Sequence, residues 1–183
     1  MVDQGPVERG ADADAPVAAA GRLLARACLA LGAVLLLLAG CAPAGRAARE
    51  ADPVAVAMLE LVNAARAEPR TCGDTRFPPA RPLRLEARLS AAAQAHSDDM
   101  RRMGAMTHVG SDGSSVVQRA ERQGYPWSRL AENVAWGYED VGEVVAGWLA
   151  SPGHCRNIMG ADYVELGVGV AGTFWTQVFG AQR

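Results

Sequence analysis

Two histidines and one glutamate are the best candidates for chemistry in this chain of 183 residues, which has only three histidines. His108 lies in the segment MTHVGSDGSS, Glu132 in AENVAWG and His154 in SPGHCRNIM. Imidazole titrates near neutral pH and ligates metals, and a carboxylate can orient an imidazole or complete a metal site. The functional interpretation therefore depends on whether folding brings these three side chains together.

Four kinds of role are open to these residues. In a divalent cation site, with zinc as the first candidate, His108, His154 and Glu132 would be the ligands and a fourth position would stay open for water. In a hydrolase, Ser114 or its neighbour would be activated by His108, with Glu132 orienting the imidazole. The other two roles are ligand binding without catalysis and a purely structural His–Glu hydrogen bond. Because the chain has neither an HExxH motif nor a Gly-x-Ser-x-Gly elbow, we favour binding over catalysis.

The charge balance points to no particular class of partner. Eighteen basic residues, all of them arginine, oppose twenty acidic residues, and the net charge is −2. A strong field of one sign would favour nucleic acid or an acidic partner, and this chain has none. We therefore expect no nucleic-acid binding.

The first 51 residues are predicted to direct export rather than to fold. Arg22 and Arg26 precede an apolar run at 29–39 that is shorter than the roughly 20 residues a membrane span needs. The run ends in Leu-Ala-Gly-Cys, which resembles a bacterial lipobox, and this resemblance implies cleavage before Cys41 and its acylation. Residues 1–41 are thus predicted to be a lipoprotein signal peptide and 42–51 a tether. Residues 52–183 are predicted to form the domain, which we expect to face outside the cytoplasm.

Two further cysteines, Cys72 and Cys155, belong to the predicted domain. In an oxidising compartment an even pair favours a disulfide, which would also hold the segment that carries His154. Two metal-binding thiols are the alternative, although no closely spaced ligands surround either cysteine.

Helices are predicted to position the candidate residues. Asp52-Pro53 is a typical helix start, and a second helix over 86–103 places His96 on an apolar stripe, where we expect a buried histidine bonded to backbone. His108 falls in the following loop, a short helix capped by Ser114 or Ser115 comes next, and another helix starts at Asp140. Ser151-Pro152 predicts a short helix with His154 in its first turn.

Strands are predicted mainly in the last third of the chain. Residues 131–136 are typical of a strand, and 164–171 with 174–179 form a hairpin in which Gly167 and Gly169 share a face that another backbone could approach. Helices followed by antiparallel strands indicate an α+β fold.

These segments together resemble the CAP superfamily, also called the SCP or cysteine-rich secretory protein domain, in its short bacterial form. The matching segments occur in order between residues 54 and 180: LVNAAR, AHSDDM, THVGSDGSS, GY, ENVAWG, WLASPGH and GVG. The resemblance implies an α-β-α sandwich in which a small three-stranded antiparallel sheet lies between helices. It also implies a cleft that holds His108, Glu132 and His154.

One acidic position of the resembled site differs here. Eukaryotic relatives carry a second glutamate shortly after the tryptophan of the last long helix, and this chain has Ser151 there, so Asp112 is a candidate substitute. We expect a cleft that also includes Asn133 and that binds an envelope lipid, glycan or peptide, directly or through a divalent cation. A metal- or Ser/His-dependent hydrolase is the alternative.

Overall fold

A computed structural model of the protein describes residues 52–183. The predicted signal peptide, the lipobox at Cys41 and the tether at 42–51 lie outside these residues. Within 52–183, no helix combines the length and the apolar composition that crossing a bilayer requires.

Five helices and six strands make up the described part of the chain. The helices are α1 (Pro53–Arg66), α2 (Ala87–Met103), α3 (Val116–Arg122), α4 (Val141–Ala150) and α5 (Pro152–Met159). The strands are β1 (Arg70–Cys72), β2 (Thr75–Phe77), β3 (Arg84–Leu85), β4 (Trp127–Trp136), β5 (Glu165–Ala171) and β6 (Phe174–Gln182).

Several helices start next to a capping side chain, close to the positions that the sequence predicts. The Asp52 carboxylate accepts from Val54 N at 2.9 Å, and Asp140 accepts from the amides of Gly142 and Glu143. Of the two serines predicted as caps for α3, Ser115 is the cap, and it forms a reciprocal capping box with Gln118. Ser114 is therefore left to a different set of contacts.

The main sheet has the strand order β3-β5-β6-β4. Strands β5, β6 and β4 form the expected three-stranded antiparallel unit, and the predicted α+β sandwich is confirmed. The two-residue strand β3 adds a parallel edge that was not predicted, and β1 and β2 form a separate small hairpin that was not predicted either. Strands of two or three residues are too short for a periodic pattern to reveal.

The two faces of the sheet differ in what covers them. On one face Gly167 and Gly169 lie so close to α2 that an added Cβ would collide with the backbone at Leu89 and Ala93, as their spacing predicts. Glu132 lies on this α2 face, because it pairs with Val178, which in turn pairs with Gly167.

The opposite face carries the larger apolar core. Buried side chains of α1, α4 and α5 pack there on the sheet, and Trp148 and Met58 are among the largest of them.

The Cys72–Cys155 disulfide joins β1 to α5, so the predicted pairing is confirmed. The two cysteines are 83 residues apart in sequence. Closing a loop of this length stabilises the fold by roughly 4–5 kcal/mol in the chain-entropy model. The bridge also restrains α5, whose first turn carries His154.

Candidate ligand-binding site

The centre of the candidate site is Glu132, a carboxylate of β4 whose side chain is only 3% exposed. Its Oε1 atom lies 2.9 Å from Nδ1 of His108, and its Oε2 atom accepts from the Arg119 guanidinium at 2.6 Å. A carboxylate this deeply buried needs such partners, because its desolvation would otherwise cost several kcal/mol.

Arg119 of α3 holds the histidine loop against the sheet. Besides Glu132, its guanidinium donates to the carbonyls of Ser114 at 2.7 Å and His108 at 3.2 Å. Sequence reasoning missed this residue. The available signal was a glutamate in a predicted buried strand, which requires a cation, but that signal alone did not select one arginine among the many in this chain.

His96 lies behind the carboxylate and is fully buried on α2. Its Nε2 atom is 2.7 Å from the carbonyl of Thr107 and 3.9 Å from Oε1 of Glu132. Burial lowers the pKa of His96, and the nearby Glu132 charge only partly opposes this shift. His96 is thus a neutral histidine bonded to backbone, as its place on an apolar stripe predicts.

His154 lies in the first turn of α5, as predicted, and is partly buried. Burial lowers the pKa of His154, and the influence of His108 lowers it further. Helix α5 is tied to β4 beside Glu132, since Asn157 donates to the carbonyl of Glu132 at 3.2 Å. The fold thus brings the start of α5, which carries His154, beside β4, although His154 is not among the residues that line the cavity next to Glu132.

Asn133 supports this arrangement from the opposite face of the sheet. Its fully buried amide donates to the His154 carbonyl at 3.3 Å and to Gln177 at 3.1 Å, and it accepts from Asn157 at 2.8 Å. A buried amide with all these partners positions the backbone of α5.

An open cavity of about 340 Å³ adjoins the carboxylate. Its lining residues are His108, Val109, Gly113, Ser115, Val116 and Glu132. The His108 side chain is 57% exposed, and its Nδ1 atom is engaged by Glu132, so Nε2 is the ring nitrogen left for a ligand.

Ser114 and Asp112, two other candidates from the sequence, bond to each other. Ser114 is buried, and its amide donates to Asp112 at 2.9 Å. The Ser114 hydroxyl and amide, together with Arg122 at 2.5 Å, hold the pKa of Asp112 well below its usual range. Both residues line a neighbouring cavity of about 260 Å³ between α2 and α3. The structure therefore brings neither of them into the cavity beside His108 and Glu132.

The donor set limits how a metal could be held. Among residues 52–183, no three His, Cys, Asp or Glu side chains form a group that could hold a metal ion. Both Glu132 oxygens are already bonded, one of them to a guanidinium whose charge opposes a cation. Glu132 therefore suits the role of a carboxylate that orients His108, and Nε2 of His108 is the ring nitrogen beside the cavity that stays open to a ligand.

Comparisons with known proteins identify the family to which the chain belongs. Residues 59–179 match the model of the CAP family, described as the cysteine-rich secretory protein family. This match covers more than half of the chain, so the protein belongs to the CAP family.

Three similar proteins come from bacilli. The chain is 37% identical over 84 residues to the uncharacterized membrane protein YlbC and 33% identical over 101 residues to the uncharacterized protein YkwD, both of Bacillus subtilis. These matches cover 46% and 54% of this chain, but only 24% and 39% of the relatives. A crystal structure of an extracellular protein containing an SCP domain, from Bacillus anthracis, has 28% identity and a TM-score of 0.55, covering 56% of this chain and 35% of that one.

Proposed function

We propose that this protein is an exported, envelope-anchored lipoprotein whose CAP domain binds a ligand in the cleft beside His108, Glu132 and His154. The lipobox ending at Cys41 supports anchoring. A relative described as a membrane protein and another described as extracellular support a location outside the cytoplasm.

The binding proposal rests on one observation: Glu132 is shared between Arg119 and His108. Arg119 by itself is enough to neutralise the carboxylate and to hold the loop through two carbonyls. The additional bond to His108 stabilises the fold little, because the imidazole is more than half exposed. What that bond does is fix the orientation of a solvent-facing ring.

The fixed ring determines which chemistry the cleft offers. When Nδ1 donates to Glu132, the neutral imidazole presents the Nε2 lone pair, which accepts a hydrogen bond or binds a cation. His154, whose pKa is lowered, is also available as a neutral imidazole at neutral pH. A divalent cation held by these two rings would polarise an oxygen atom of the ligand.

Zinc titration followed by calorimetry tests the site. We expect wild-type protein to bind zinc, and His108→Ala and His154→Ala to weaken binding more than tenfold. Glu132→Gln is expected to weaken it by about 10- to 100-fold through loss of orientation. Asp112→Asn is the matched control, because Asp112 lies outside the cavity that His108 lines, and its zinc affinity should equal that of wild type. Absence of heat with the wild-type protein would end the cation form of the proposal.

Anchoring is tested separately by growing cells with a labelled fatty acid. The label should enter the wild-type protein and be absent from Cys41→Ser. Equal labelling of both would contradict acylation at Cys41.

A further inference from the structure

We propose that Met103, Met106, Val109 and Trp136 form a bilayer-docking surface that rests on the phospholipid headgroups and inserts its apolar side chains. This inference goes beyond ligand binding and rests on the proposed anchoring at Cys41. It concerns the orientation in which the tethered domain meets the membrane.

The exposure of these side chains is the first observation. Met106, Val109 and Trp136 are 52%, 55% and 60% exposed, and Met103 is 37% exposed. Within 52–183 the one other large apolar side chain with comparable exposure is Leu61, on α1. Large apolar side chains that are clustered at one place on a domain mark interaction surfaces, whereas isolated ones are ordinary.

Contacts around the ends of α2 and β4 place Met103 and Trp136 at the same end of the domain, and the loop that carries Met106 and Val109 leaves α2 there. Met100 of α2 packs with Val134 and Phe174, and Met103 follows Met100 by one helical turn. The next loop returns along α2, since Ala105 donates to the Met100 carbonyl and the Thr107 carbonyl lies 2.7 Å from His96.

Trp136 lies on the same face of β4 as Val134 and Glu132, because side chains alternate along a strand. Its ring stacks on Phe174 with centroids 6.0 Å apart and planes inclined by 23°. The indole is therefore held in place while most of its surface is exposed. A tryptophan that is held in place but largely exposed suits the membrane–water interface, where its apolar ring and its polar N–H are both accommodated.

A bilayer is the occupant that the tether favours over a soluble partner. Ten residues at 42–51 span at most about 35 Å when fully extended. A domain of this size has a radius of gyration of about 14 Å. A lipid on Cys41 would thus keep Asp52, the cap of α1, within roughly one domain diameter of the bilayer. Even a weak docking surface is occupied at such an effective concentration.

Two exposed arginines complement a phospholipid surface. Arg101 and Arg102 occupy the last turn of α2, between Met100 and Met103. Basic side chains beside inserted apolar ones strengthen attachment to anionic headgroups, and Arg102 contributes less than Arg101 because it pairs with Asp99 at 2.7 Å. His108 lies in the loop between Met106 and Val109, so a docked domain would turn the His108 ring toward the headgroups.

Quenching of tryptophan fluorescence by brominated lipid tests this surface. The full lipidated protein is reconstituted in vesicles of phosphatidylcholine and phosphatidylglycerol, with and without bromine on the acyl chains. We expect bromine to remove about a quarter of the emission, the share of one tryptophan among four, because Trp148 and Trp175 are buried in the core. Trp136→Phe should abolish this bromine-dependent loss.

Matched variants separate docking from general proximity to the membrane. Met106→Asp and Val109→Asp should at least halve the quenching, whereas Leu61→Asp, which changes an exposed apolar residue on α1, should leave it unchanged. Emission unaffected by bromine in the wild-type protein would overturn the proposal, and so would equal quenching in Trp136→Phe. Fatty-acid labelling of the same preparations shows whether the anchor is present, so failure of docking is distinguishable from failure of anchoring.

Discussion

Two buried glutamates on the α2 face of the same sheet have very different surroundings. Glu165 begins β5, and Glu132 lies in β4 on the other side of β6. The side chains of both are at most 3% exposed, and each has an arginine partner. Burial and charge pairing therefore do not distinguish the candidate site from an ordinary structural carboxylate.

The partners of Glu165 form a cluster in which Tyr125 is buried and Arg84 is largely exposed. Its oxygens accept from Arg84 at 2.5 Å, from the Tyr125 hydroxyl at 2.5 Å and from Gln182 at 2.8 Å. Burial raises the pKa of Tyr125 far above its ordinary value, and the Glu165 charge raises it further. This cluster joins the start of β5 to the end of β6, which is a structural role.

The partners of Glu132 leave one group open to solvent. Arg119 is buried with it, but His108 is largely exposed beside a cavity and has an unengaged Nε2 atom. The comparison teaches that an exposed partner alone does not mark the candidate site, since Arg84 is even more exposed than His108. An unengaged ring nitrogen beside a cavity is what distinguishes Glu132 from Glu165.

The largest expected effect comes from removing the buried cation beside Glu132. Arg119→Met leaves the carboxylate without its guanidinium and the two loop carbonyls without a donor. We expect the free energy of unfolding to fall by about 3–5 kcal/mol, measured by urea denaturation. The double variant Arg119→Met/Glu132→Leu should recover part of this loss. An unchanged single variant would show that Glu132 is more hydrated than its burial indicates.

A smaller loss of stability is expected from changes in the cluster around Glu165. Tyr125→Phe removes one hydrogen bond to a charged group and leaves Arg84 and Gln182 in place, so unfolding should become easier by about 1.5–3 kcal/mol. Arg84→Ala is the control, and because that side chain is largely exposed, its loss should stay below about 1 kcal/mol. A larger effect of Arg84→Ala than of Tyr125→Phe would reverse our account of which partner stabilises Glu165.

The smallest expected effect is on the pH dependence of stability. It should arise beside Glu132, where His96 lies, rather than beside Glu165. His96 has a lowered pKa in the fold, so below its ordinary value of 6.5 the unfolded chain binds a proton more readily. Stability should therefore fall as pH drops below about 6.5, by at most about 1.4 kcal/mol per pH unit for this group. Denaturant midpoints measured between pH 7.5 and 5 test this expectation. The decline should be weaker in His96→Gln, with His154 accounting for part of what remains; an identical slope in both proteins would exclude His96 as a source.

Local patterns predicted most of the elements that carry the site. Asp52-Pro53, the apolar stripe of α2 and the capping residues Ser115 and Asp140 act within one or two helical turns, so their effects are visible in sequence. The start of β4 was placed too late, because residues 127–130 contain a serine and an arginine that do not alternate as a half-buried strand should.

The sequence alone determined the helices and the longer strands, the cysteine pair and a short set of residues with suitable chemistry, since residue type and spacing govern helix caps, alternation and titration range. It was not enough to select Arg119, to separate Asp112 and Ser114 from the cleft or to distinguish Glu132 from Glu165. Those outcomes depend on which side chains meet across the sheet and on which of them keep contact with solvent. Only the tertiary structure sets these relations, because they join residues that are far apart in the chain.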